Sequence, residues 1–278
     1  WRVVPAERRT ASIASLGMAG GIGGLIAFPY AHLLIELLGW KISLLVLAAT
    51  GALMLPLALP LAGKPVAHTV TRSQSLGEAF GEAFAHPSFW LLVAGFFVCG
   101  FHVAFYSVHL PAYVADKGFE PWVGVWALMA VGIANIAGTW LAGRSARRIE
   151  KRVGLSFIYF MRCFAFLGLL FVPVTPEMVI AVSALLGVFW LSTVPLTSGL
   201  VATFFGTQWM SMLFGFVFFS HQLGSFSGLW LAGRVFDATK SYDLMWWICI
   251  AVGLFAAIVH WPIRERPVAR LAMAPQSA

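Results

Sequence analysis

Arg162 interrupts the run 154–173, GLSFIYFMRCFAFLGLLFVP, which carries no other charged residue. If the run spans a membrane, Arg162 lies eight residues in from Gly154, about 12 Å along the axis at about 1.5 Å per residue. A charge at that depth costs at least about 2.5–3.5 kcal/mol and normally faces a bundle interior or a water-filled cavity. A guanidinium stays ionised and grips a carboxylate through two parallel hydrogen bonds, so the chemistry on offer is reception of an organic anion. The competing role is structural, a bond to a carboxylate or to backbone carbonyls. No acidic residue of this chain lies at membrane depth, so a carboxylate partner has to come from elsewhere.

Two more segments carry polar side chains inside apolar surroundings. His102, Tyr106 and His109 fall at i, i+4 and i+7 and share one helix face. His102 and Tyr106 are candidates to hydrogen-bond an anion, and a histidine there can couple binding to pH; the alternative is packing bonds to neighbouring helices, which is the expectation for His109 beside Pro111. One metal held by both histidines is excluded by distance, since two turns separate them by about 10.5 Å against metal–nitrogen bonds of about 2 Å. Ser220, His221 and Gln222 are consecutive and point in different directions. His221 is a second substrate or proton candidate, and Gln222 either contacts substrate or makes an interhelical hydrogen bond. Asn135 has that same bland explanation. Ser192, Thr193, Thr197 and Ser198 flank Pro195 and are expected to satisfy the carbonyl it frees. His32 and Glu36 are expected to pair.

These residues are held by membrane-type elements. The 278 residues are 60% hydrophobic and 10% charged, with mean hydropathy +0.86, whereas soluble domains run at about 25% charged. Cys99, Cys163 and Cys249 lie in apolar segments with no metal spacing and no disulfide framework. The net charge of +7 sits in loops and not in a nucleic-acid-binding face. Eight apolar segments are expected, at about 11–37, 42–61, 89–114, 122–142, 154–173, 178–204, 210–231 and 244–261, with a short surface helix at 75–85. Trp40, Trp122, Trp246, Trp247 and Trp261 near segment ends read as interfacial anchors.

Alternating the segments puts thirteen of the Lys and Arg residues on one side, four on the other, and Arg162 between. The basic side includes Arg144, Arg147, Arg148, Lys151 and Arg152 and both termini, and is expected to be cytoplasmic. Gly20 and Gly24 in the first segment match Gly224 and Gly228 in the seventh, and Gly51 and Pro60 match Gly253 and Pro262 in the segments that follow. Two parallel six-helix repeats would explain this. The chain opens at Trp1, and on that arithmetic four helices are expected before it.

Several stretches carry a family resemblance: ERRTASIASLGMAGGIGG with LLGWK, FHVAFYSVHLPAYVADKG, GTWLAGRSARRIEKR, WLSTVPLTSGLVATFFGT, and MLFGFVFFSHQLGSFSG with VFDATKSYDLMWW. Together these resemble the major facilitator superfamily, and within it the monocarboxylate or oxalate/formate-type permeases. One position departs from the family signature: Arg147 stands where the basic loop between helices eight and nine carries an Asp. The resemblance implies an all-α, polytopic, partial fold of eight transmembrane helices. Residues 1–62 would be the last two helices of the N-terminal half, 63–87 the cytoplasmic central loop, 88–263 the six-helix C-terminal half, and 264–278 a cytoplasmic tail. It implies a secondary transporter, not an enzyme, in a bacterial inner membrane. Such a carrier moves a small organic anion by alternating access, with proton coupling or anion exchange. The expected site is Arg162, His102, Tyr106, His221 and Gln222, with no cofactor or metal; the expected partners are the anion, membrane lipids and the absent N-terminal helices, with no nucleic acid. Two other readings stand beside it, a non-transporting truncated remnant and a haem- or metal-binding membrane protein using His102 and His221.

Overall fold

In the computed structural model, residues 9–59 and 74–272 are described, and every regular element among them is a helix. In chain order these are α1 (Arg9–Ala52), α2 (Met54–Ala58), α3 (Leu76–Phe84), α4 (Pro87–Asp116), α5 (Pro121–Ser145), α6 (Lys151–Phe171), α7 (Pro176–Val188), α8 (Thr193–Phe205), α9 (Met210–Thr239), α10 (Asp243–His260) and α11 (Ala269–Ala272). Residues 63–73 of the expected central loop and 273–278 of the expected tail lie outside the described residues. So do Arg2, Arg8, Lys64 and Arg72 of the basic side.

Local chemistry sets the helix ends. Pro87, Pro121 and Pro176 occupy first-turn positions, where a missing N–H is no loss and φ is already helical. Ser75 and Glu78 form a reciprocal capping box on α3. Thr175 caps α7 by accepting from the Met178 amide at 3.2 Å. Inside α1, Gly39 adopts φ 70° and ψ 163°, outside the helical region. The chain folds back there: Tyr30 and Thr50, twenty residues apart, meet through their hydroxyls at 3.1 Å. The first two expected segments are therefore an antiparallel pair.

Six stretches are long and apolar enough to cross a membrane among the described residues, not the eight expected. Two physical reasons account for the difference. The first two segments run on as one stretch, Ile22–Leu57, because no polar loop separates them. The thirty-residue α9 is long enough, but its Ser220–His221–Gln222 run lowers its apolar character. The sixth expected segment is continuous in hydropathy yet broken in structure, with α7 and α8 separated at 189–192.

Six consecutive units, α4, α5, α6, α7 with α8, α9 and α10, pack in pairs. α4 lies on α9, α5 on α7, α6 on α10, and α1 runs along α5. Exchanging the first three units with the last three maps the first pair onto the second and the third onto itself. That is the pairing of a three-plus-three inverted repeat. Loop ends gather accordingly. At one end Lys151 meets Glu265 at 3.4 Å, Arg152 donates to the Trp261 carbonyl, Arg264 to Ser88, and Arg270 to Glu82. At the other, His109 meets the Tyr242 hydroxyl at 3.1 Å; burial and the Asp116 carboxylate push the Tyr242 phenol up. Trp246 is not an interfacial anchor: it is 1% exposed and stacks on Phe166, because the face of α10 that carries it turns inward onto α4 and α6. Trp40, Trp247 and Trp261 are exposed.

The α4–α9 pair depends on backbone contact. A Cβ on Gly100 would overlap the His221 carbonyl, and one on Gly224 the Phe97 carbonyl. Replacing Gly100 by Val is expected to push the two helices apart and to destabilise the protein by about 1–3 kcal/mol. Gly215→Ala, which meets nothing within 4 Å, is the matched control. Thermal unfolding followed by circular dichroism compares the two, with the Gly100 variant melting lower and the Gly215 variant unchanged or higher.

Candidate functional site

The break between α7 and α8 leaves backbone groups with no helical partner. The last carbonyls of α7 and the first amides of α8 sit in an apolar interior, where each unpaired group costs about 1–3 kcal/mol. Two side chains from neighbouring helices close the gap. From α6, Arg162 donates through Nε to the Phe189 carbonyl at 3.1 Å, and through one terminal nitrogen to Phe189 and Trp190, both at 2.6 Å. A cation at a helix C-terminus also meets the favourable end of its dipole. From α5, Asn135 accepts the Leu191 amide at 2.9 Å, and Thr139 holds that same oxygen at 3.0 Å. Ser192 returns its hydroxyl to the Val188 carbonyl at 2.7 Å. Pro195 needs no such repair, because it stands in the first turn of α8.

Arg162 is 1% exposed. Its guanidinium lies 5.2 Å over the Tyr159 ring and 3.8 Å from the Cys99 sulfur. The other terminal nitrogen, Nη1, has no hydrogen-bond partner. Among the described residues no carboxylate stands within ion-pair distance of it. The charge is thus met by carbonyl dipoles and the Tyr159 ring face and not by a carboxylate, and two N–H donors remain unassigned.

The other expected residues do not converge on Arg162. His102 bonds through Nε2 to the Cys249 carbonyl on α10 at 2.9 Å, and Tyr106 bonds to the Ser183 hydroxyl on α7 at 2.8 Å. Both are buried and spend these groups on neighbouring helices. His221 and Gln222 lie on the open side of α9, where His221 stacks on Phe218 at 5.0 Å and meets the Gln222 oxygen at 3.2 Å. Cys99 touches Thr193 at 3.2 Å and lies beside Arg162. His32 and Glu36 approach to 3.2 Å as expected, and the histidine ring stands edge-on to Trp122.

A hollow of about 140 Å³ adjoins the break, lined by Gly20, Gly24, Phe28, Ser107, Leu128, Val131, Gly132, Asn135, Trp190 and Leu191. It lies where α1 meets α4, α5 and the break. Of the five expected site residues none lines it, although Arg162 grips the carbonyl of Trp190, a lining residue. Reasoning from the sequence missed Ser107 and gave Asn135 only a packing role. The available signal was a lone carboxamide in an otherwise apolar helix, opposite a segment containing Pro195.

A family model for the Major Facilitator Superfamily matches residues 2–229. Over 289 aligned residues the chain is 25% identical to monocarboxylate transporter 12 of Mus musculus, covering 91% of this chain and 59% of that protein. The protein of the same name from Homo sapiens gives 25% identity, with 91% and 56% covered. That from Xenopus laevis gives 25% over 272 residues, with 85% and 57% covered. The chain spans somewhat over half the length of these relatives.

Removing the guanidinium orphans the carbonyls it holds. Arg162→Met is expected to destabilise the protein by about 1–3 kcal/mol for each carbonyl left unpaired. Amide exchange should accelerate locally at the ends of α7 and α8, read by hydrogen–deuterium exchange with mass spectrometry.

Proposed function

The chain belongs to the Major Facilitator Superfamily, and we propose that it is part of a secondary carrier that moves a small organic anion, a monocarboxylate, by alternating access. Its apolar helices make it an integral membrane protein. The monocarboxylate in the relatives' name supports the substrate class, and the geometry supports the sign of the charge. The observation that carries the reading is the buried guanidinium of Arg162, which has no carboxylate counter-ion among the described residues and keeps one nitrogen unpaired. A substrate carboxylate is the missing partner. It enters by the hollow beside Asn135 and Trp190 and meets the positive field behind the break.

Two consequences follow for the cycle. The broken helix is the element that moves, since its ends are joined by side-chain bonds that a competing carboxylate exchanges for its own. Superfamily carriers rock two halves about a site near the bilayer midplane, and the break lies on the side of the six-helix half that faces α1. Proton coupling falls to His221 before His102. His221 is partly exposed, with Phe96 and Cys99 of α4 and Phe218 and Gln222 of its own helix around it. His102 is sealed against Cys249. A bacterial inner membrane with cytoplasmic termini is the location that suits the distribution of basic residues.

The test uses the full-length protein in vesicles, with labelled short monocarboxylates at two pH values. Arg162→Gln is expected to abolish uptake and also to remove the protection that a monocarboxylate gives the wild type against thermal unfolding. Retained uptake by the glutamine variant contradicts the anion role. Replacing His221 by Gln is expected to flatten the pH profile of uptake, whereas His102→Gln should lower stability and leave the shape of the profile intact.

A further inference from the structure

A second cavity, larger and more apolar, opens on the opposite side of the break. It measures about 460 Å³ and is walled by Gly138, Leu141 and Ala142 of α5, Val153 and Phe157 of α6, and Phe189 of the break. That volume is within the range of about 300–1,000 Å³ usual for ligand cavities. Leu141 and Phe157 are 52% and 55% exposed, so the crevice faces outward from the bundle. It is not part of the hollow near α1. From Ser145 at its mouth to Gly138 it spans seven residues of α5, about 10 Å along the helix axis.

The mouth is basic. Ser145 and Ile149 line it, and the tight turn between them carries Arg147 and Arg148, with Arg144 just before it. The two acidic groups close to this loop are already engaged. Glu150 pairs with Arg152 at 2.7 Å, and Glu265 takes Lys151 at 3.4 Å and the Arg152 amide at 2.7 Å. Arg144 rests on the Trp140 ring at 5.7 Å. Arg147 and Arg148 have no acidic partner among the described residues. An apolar slot whose end adjoins a turn carrying arginines without acidic partners has the two-part chemistry of one class of molecule. We propose that it binds an anionic phospholipid, with an acyl chain between α5 and α6 and the phosphate on Arg147 and Arg148. Basic residues placed just outside membrane helices attract anionic headgroups, and the apolar walls select a lipid over a free anion. Because Phe189 is shared between this crevice and the Arg162 bond, an occupying chain would brace the break from behind.

The experiment measures thermal unfolding of the full-length protein in nanodiscs of phosphatidylcholine alone or with phosphatidylglycerol. A parallel arm in detergent adds inorganic phosphate or glycerol phosphate. Phosphatidylglycerol is expected to raise Tm above the phosphatidylcholine value, the difference is expected to vanish in the double variant Arg147→Gln, Arg148→Gln, and the soluble phosphates should leave Tm unchanged. Equal Tm in both lipids overturns the proposal, as does a soluble phosphate that reproduces the shift. Should the double variant not fold, the wild type is labelled with phosphatidylglycerol carrying a photoreactive acyl chain. Crosslinks within 138–158 support the site, and crosslinks confined to other segments overturn it.

Discussion

The bond between the Arg162 guanidinium and the Phe189 and Trp190 carbonyls is the constraint around which α5, α6 and the broken α7–α8 helix are arranged. A membrane helix can break only where its freed backbone groups are met by protein or by water in a cavity. Here the break is met from both sides, by a cation on the carbonyls and by the Asn135 carboxamide on an amide. Each partner removes the other's difficulty. The carbonyls would be costly unpaired in an apolar interior, and the charge would be costly without dipoles around it. Neither arrangement survives alone, so α5, α6 and the broken helix are tied into one unit.

Close backbone packing supplies the rest. Small residues let α4 and α9 touch at Gly100 and Gly224, and let α5 and α7 touch where a Cβ on Gly138 would overlap the Val188 carbonyl. Lipid gives no hydrophobic drive for helices to associate, so van der Waals contact and buried hydrogen bonds do that work. The bonds of His102 to α10 and Tyr106 to α7 belong to this scaffold. The polar features not spent on the scaffold are fewer: the buried, unpaired Arg162 nitrogen, the hollow beside Asn135 and Trp190, and the partly exposed His221 edge of α9.

Much of this was legible in the residues. A charge at depth in 154–173 identified Arg162 as needing a polar environment, and its structural alternative, a bond to backbone carbonyls, is one of the two roles read from the sequence. The apolar runs placed the starts of α4, α5 and α7, and helical spacing that of α3, within a few residues. The break at 189–192 was not legible, because hydropathy is continuous across it and Pro195 pointed to a place several residues downstream. His102 and Tyr106 were grouped by a shared helix face and joined to Arg162 by the anion-binding reading, but a face says only which side of a helix is polar. Which neighbour that side meets is set by tertiary packing. The inward turn of Trp246 and the role of Asn135 were hidden for the same reason.

The most direct measurement is dipolar recoupling by solid-state NMR in lipid bilayers, between the 15N-labelled guanidinium of Arg162 and 13C carbonyl labels at Phe189 and Trp190. Strong dephasing is expected at both carbonyls from the side-chain nitrogens, at separations consistent with direct hydrogen bonds. Absence of dephasing at both, with the guanidinium nitrogens in contact with water, would contradict the bond.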